Sequence, residues 1–226
     1  FSTVLFHALE DPLMPELQVY MTPMIIDENF DNGENERVPF LQRLGRKLLV
    51  RGRKVARPGI QIDINQERPK SLGNVRLLSS DPLQYPMIDP NYLADTRDLT
   101  ELVRGVKDMR DVMSQPNISQ FLTKEQGVWA DAKTDKEIIA AIRETAYTGH
   151  HPCSTARMGS NSDPTAVLDG ELKVRGIEGL RVCDASAMPT QITGNLYATV
   201  VAMAEKASDM VLGRSALMPE YKDEGG

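Results

Sequence analysis

The stretch that decides this chain begins at His150-His151-Pro152 and continues through Thr155-Ala156-Arg157-Met158-Gly159. Leu180-Arg181-Val182-Cys183-Asp184-Ala185-Ser186-Ala187-Met188-Pro189 follows, and the run ends at Gly194-Asn195-Leu196. It sets an imidazole at the start of one loop and a carboxamide at the start of a long apolar helix. Between them the apolar residues 180–183 read as a short strand that stops at the turn Asp184-Ala185. Two polar groups are thereby delivered to one place from distant parts of the chain. Pro189 and Gly194 break the backbone ahead of the helix, which is expected over about 196–212. Val200, Val201, Ala204, Ala207, Met210 and Val211 mark its buried side. Val167-Leu168-Asp169 and Lys173-Val174-Arg175 flank a glycine-containing turn in between.

The chain has three histidines. His7 reads as structural. His150 and His151 are neighbours, so in an extended loop they face opposite sides and cannot enter one site by the same geometry. A metal centre would need further ligands at suitable spacing, and the sequence offers none.

Upstream of that loop, 17–26 reads Leu-Gln-Val-Tyr-Met-Thr-Pro-Met-Ile-Ile, and its first half alternates as a strand lining a cavity would. Residues 59–65 alternate strictly, and 75–79 read as a third strand; the three are candidates for one antiparallel sheet. Leu99, Leu102, Val103, Val106, Met109, Val112 and Met113 keep the spacing of an amphipathic helix ending before Pro116. A second helix starts at Thr134, with Glu137 completing a capping box, and presents Ile138, Ile139 and Ile142 to the core. Trp129, between the two, fits a core or a pocket wall. In the interval between the first two strands, acids from Asp27 to Glu36 give way to a basic run, 37–57, with Phe40, Leu41, Leu44, Leu48 and Leu49 at helical spacing. A short basic amphipathic helix fits there, either as a docking surface or as a solvated face whose charges pair internally.

A chain of 226 residues, 41% hydrophobic and 26% charged, has material for one sizeable core. Its net charge of -6 argues against a general nucleic-acid or anionic-membrane partner. No stretch approaches the roughly 20 apolar residues of a membrane span. Cys153 lies in a loop and Cys183 in an apolar segment, so two free thiols are preferred to a disulfide, and a reducing cytoplasm suits them. A nucleophilic role for Cys153 lacks an activating partner.

The motifs resemble those of the C-terminal half of the glucose-methanol-choline (GMC) family of flavin-dependent alcohol oxidases and dehydrogenases. Pro69-Lys70-Ser71-Leu72-Gly73-Asn74-Val75-Arg76-Leu77, Ser80-Asp81-Pro82 and Pro86-Met87-Ile88-Asp89-Pro90-Asn91-Tyr92-Leu93 extend the likeness, which runs in family order from about 69 to 211. Ser154 stands where the family usually has glycine, and 1–58 match only loosely. The resemblance implies an α+β fold: an antiparallel-sheet substrate-binding domain with flanking helices over 1–150. It also implies that 151–226 carry an active-site loop and the C-terminal strand and helix of a Rossmann-like FAD-binding domain. By the same likeness His151 is the catalytic base and Asn195 its partner, with His150 beside the substrate. Asp184 and Ala185 approach the FAD pyrophosphate and ribityl region, and the amides of Asn195 and Leu196 meet the flavin pyrimidine edge.

Such a family member oxidises a primary alcohol to an aldehyde by hydride transfer to flavin N5, the electrons passing on to oxygen or another acceptor. The glycine-rich turn that would cradle the FAD pyrophosphate on a helix N-terminus does not occur here. The sequence, opening at Phe1, is therefore expected to work with an N-terminal FAD-binding polypeptide or segment of the same enzyme. Two further readings share the likeness: a lyase of the hydroxynitrile-lyase kind, and a noncatalytic binding subunit of a flavoprotein complex.

Overall fold

The computed structural model describes residues 3–23, 25–27, 55–57 and 59–215. Three short antiparallel sheets and two long helices precede a loop-rich segment and a final helix. Strands β1 (Thr3–His7), β2 (Leu17–Thr22) and β5 (Gln61–Gln66) form one sheet in the order β1-β2-β5. β3 (Ile25–Asp27) pairs with β4 (Val55–Arg57), and β6 (Asn74–Arg76) with β7 (Met87–Asp89). The helix expected within the basic run lies outside the described residues.

The three-stranded sheet has two chemically distinct faces because side chains alternate with period two. Its register pairs Gln18 with Asn65 and Tyr20 with Asp63, so these polar residues share a face, and Val4 and Phe6 of β1 join them. Leu17, Val19, Ile62 and Ile64 occupy the other face. That face meets α1 (Thr96–Ser114), where Gly105 lets the backbone come close: a Cβ there would lie 2.5 Å from Leu17 Cδ1. At the sheet edge His7 Nε2 bonds Asp108 Oδ2 of α1 at 2.8 Å, the structural role expected of it.

Helix α1 begins where Asp95 accepts from the Arg97 N–H. The four-residue α2 (Pro116–Ser119) follows, and then α3 (Asp135–Thr145) with the anticipated capping box between Thr134 and Glu137. Leu99, Val103, Ala132, Ile138, Ala141 and Ile142 form the core between α1 and α3, and Trp129 packs on it. Asp98, fully buried in the first turn of α1, gathers the backbone N–H groups of Lys70 and Ser71 at 2.7 and 2.8 Å. It thereby ties the sheet domain to the segment that follows it.

Three sequence expectations are corrected. Residues 75–79 do not extend the first sheet: 74–76 turn back on β7, and β1 takes the third place, because alternation reports a half-buried strand but not its partner. Residues 180–183 do not form a strand; Arg181 makes a single bridge to Lys173, within a meander that also bridges Leu168 to Met158 and Val174. In α4 (Tyr197–Leu212) Ala207 alone is buried among the described residues, packed with Leu168, Leu172 and Ala187. Val201 and Val211, placed on its buried side, are exposed because no described residue covers them. Cys153 and Cys183 are both free thiols.

Candidate active site

The polar face of the three-stranded sheet is where the distant segments meet. Asn195 comes from the turn before α4, and its Oδ1 accepts hydrogen bonds from Gln18 Nε2 at 3.2 Å and Tyr20 OH at 3.1 Å. With its oxygen held by two donors on β2, the carboxamide turns its NH2 away from the sheet, free to donate to a ligand. Gly194 sits at φ +94°, in the left-handed region that favours glycine, and a Cβ there would lie 3.8 Å from Phe6 Cζ. The same glycine donates its N–H to Glu67 Oε2, 127 positions away in sequence.

Glu67 follows β5, continues the polar set Gln61, Asp63, Asn65, and is 3% exposed. Its own N–H donates to the Glu16 carbonyl at 2.8 Å, which pins it beside β2. Burial raises the Glu67 carboxyl above its ordinary pKa. The Gly194 N–H, the charge of His151 and that of Arg68, in that order, pull it back down. His151 therefore lies within electrostatic reach of the carboxylate that anchors the residue preceding Asn195. Glu67 is thus bonded to the turn that carries Asn195 and lies in the field of the imidazole. His150 is exposed, at φ +60°, with its N–H on Thr148 Oγ1 at 3.0 Å, while His151 is partly buried.

The approach to His151 runs along the sheet. Tyr147 OH donates to Asp63 Oδ1 at 3.0 Å, and a Cβ on Gly149 would lie 3.6 Å from Asn65 Oδ1. Beyond His151, Ser154 at φ +68° turns the chain. Its N–H, with those of Ala156 and Met158, donates to the carbonyls of Ala185, Ser186 and Ala187 at 3.2, 3.0 and 2.9 Å. That ladder lays the loop after His151 against the turn at 185–187. Asp184 caps this turn, accepting from the Ser186 N–H at 2.8 Å and from the Ser186 hydroxyl.

Sequence reasoning missed Gln18, Tyr20 and Glu67. The first two occupy the polar positions of a strand whose alternation was legible. Glu67 is the next polar position of the second such strand, so period-two counting carried two residues further would have reached it.

Comparison with known proteins settles the family. The GMC oxidoreductase family model matches residues 69–204. The chain belongs to the GMC oxidoreductases. It is 36% identical over 92% of its length to an oxygen-dependent choline dehydrogenase of Escherichia coli and 40% identical over 73% to the mitochondrial choline dehydrogenase of Mus musculus. Among solved structures it is similar to pyridoxine 4-oxidase from Mesorbium loti, with TM-score 0.66 and 25% identity over 89% of the chain. It covers 33%, 28% and 35% of these three proteins respectively, so it spans about a third of the length of its relatives.

GMC oxidoreductases are FAD-dependent, and the residues present fit that cofactor. Helix α4 has Leu196 at its N-cap and no side chain capping it. The first-turn N–H groups of a helix lack intrahelical acceptors, so those after Asn195 are left for acceptor atoms from outside. The helix N-terminus also favours the negative charge of a reduced flavin. Tyr197, the first residue of this GMC helix, is 81% exposed beside those amides.

Proposed function

We propose that this chain is the base-and-positioning portion of an FAD-dependent alcohol oxidoreductase that converts a small primary alcohol to an aldehyde. What supports the reading is Asn195 held on the polar face of the sheet through Gln18 and Tyr20, with His151 within electrostatic reach of Glu67, which accepts from the residue before Asn195. Residues 1–150 then line the alcohol, and 151–226 bring the loop, turn and helix that face the cofactor. FAD, when bound, supplies the acceptor for the hydride.

His151 accepts the hydroxyl proton. Without that acceptor, loss of hydride from a neutral alcohol would leave a protonated carbonyl, and a base near neutrality removes this cost. Asn195 cannot titrate; its NH2 donates to the alcohol oxygen and holds it in line. Asp184, Ala185, Asn195 and Leu196 are the residues proposed to hold FAD through their backbone, with the Asp184 side chain capping its turn. The remaining FAD contacts come from the N-terminal portion of the enzyme. His150, exposed next to the base, is proposed to border the alcohol.

In the enzyme together with its FAD-binding portion, His151→Asn is expected to slow anaerobic flavin reduction by about two to four orders of magnitude with FAD retained. Asn195→Ala is expected to be milder. Reduction of the His151→Asn enzyme near the parent rate would refute the assignment, and a larger loss in His150→Ala would move the base by one residue.

A further inference from the structure

A buried carboxylate requires compensation, and among the described residues Glu67 accepts from a single backbone N–H and bonds no cation. Arg68, the nearest cation in sequence, acts on it through its field but does not bond it: Nη2 donates to the Met14 carbonyl at 2.6 Å and lies 3.9 Å from Glu16. The carboxylate of Glu67 thus meets the Gly194 N–H directly and lies within electrostatic reach of His151. Both neighbours belong to the site, and both lie far from Glu67 in sequence. The Gly194 N–H fixes the turn whose next residue is Asn195, and Glu67 is itself fixed by its N–H on Glu16.

We propose that Glu67 is a positioning residue of this site: it latches the Gly194-Asn195 turn through the Gly194 N–H, and its charge stabilises the imidazolium that forms when His151 takes the alcohol proton. This rests on His151 acting as the base. In the step, the alcohol O–H bond breaks toward the His151 ring nitrogen as the carbinol hydrogen leaves with its electron pair for the flavin. The positive charge on His151 then arises within electrostatic reach of the Glu67 carboxylate. The latch acts on geometry before the step, and the charge acts during it.

Two substitutions in the intact enzyme separate these roles. Glu67→Gln keeps an oxygen able to accept from Gly194 but removes the charge. It is expected to leave the Kd for the alcohol within about twofold and to lower the limiting rate of anaerobic flavin reduction about tenfold. Glu67→Ala removes both and is expected to raise Kd as well. Hydrogen exchange followed by mass spectrometry reads the latch without catalysis: the peptide containing Gly194 is expected to exchange faster in Glu67→Ala and at the parent rate in Glu67→Gln. Equal exchange of that peptide in all three proteins overturns the latch, and a parent limiting rate in Glu67→Gln overturns the charge role. His151→Asn in the same assay keeps the two ideas apart. If it is slow while both Glu67 variants are fast, the present proposal alone falls; if it is fast, the base assignment falls with it.

Discussion

Gly105→Ala tests how closely α1 is set against the sheet that carries the site. The added Cβ would lie 2.5 Å from Leu17 Cδ1 and 3.3 Å from Ile64 Cγ2. Carbon atoms in contact sit about 3.5–4.0 Å apart, so the leucine methyl must retreat by about 1 Å. A free methyl would do so cheaply, but Leu17 is fully buried in a close-packed interior. Overpacking of this kind costs about 1–3 kcal/mol, against which alanine gains about 1 kcal/mol over glycine in a helix interior. The net loss is then about 0–2 kcal/mol, and the variant is expected to lose about 1 kcal/mol of stability. Gln18 follows Leu17 and points to the other face, so a displaced β2 also loosens the hold of Gln18 and Tyr20 on Asn195.

Leu17→Val supplies the control, since it removes the clashing Cδ1 for about 0.8 kcal/mol, one buried methylene. In that background Gly105→Ala keeps its helix gain without the clash and is expected to be neutral or stabilising. Thermal melts of the intact enzyme followed by circular dichroism measure the four proteins, and anaerobic flavin reduction is expected to slow in the single Gly105 variant and recover in the double. Equal destabilisation by Gly105→Ala in both backgrounds would show that contact with Leu17 is not the cause.

Two further predictions concern a cap and the exposed faces. Glu137 titrates lower in the folded chain because the Thr134 N–H, then the Lys133 N–H, then the Thr134 hydroxyl bond its carboxylate. Its contribution is complete above the ordinary value of 4.5 and is lost as pH falls through the lower folded value, so the stability advantage of the parent over Glu137→Gln is expected to vanish in acid melts. Expressed without the rest of the enzyme, the chain is expected to be poorly soluble and colourless, because Leu83, Tyr85, Tyr197 and Val211 leave apolar surface uncovered. Co-expression with the FAD-binding portion should restore a yellow complex, and a monodisperse lone chain carrying one FAD would contradict this.

Much of the scaffold was legible because local chemistry wrote it. The capping box at Thr134 and Glu137, the apolar spacing from Leu99 to Met109 and the alternation around Val19 and Ile62 each specify an element by short-range rules. What was not legible depended on partners far away. Nothing local says that Thr3–His7 would take the edge of the sheet in place of 75–79, since strand pairing is a tertiary choice. The segment at 180–183 has strand composition, yet the meander around it offers only isolated bridges. His151 and Asn195 stood out by motif. Their supports, Gln18, Tyr20 and Glu67, are ordinary polar residues until the fold sets them under the turn at Gly194.

The two-faced sheet also determines where this chain is free to change. Positions 18, 20, 61, 63 and 65 project to the site side, whereas 17, 19, 62 and 64 project toward α1, so neighbouring residues in one strand answer to different demands. A library randomised at 61 and 63 would alter the shape and polarity of the site face while leaving the helix seat intact. One inserted residue in either strand would exchange the two sets and ruin both. The chemistry of the polar face is thus tunable by substitution, whereas changes of strand length are closed to it.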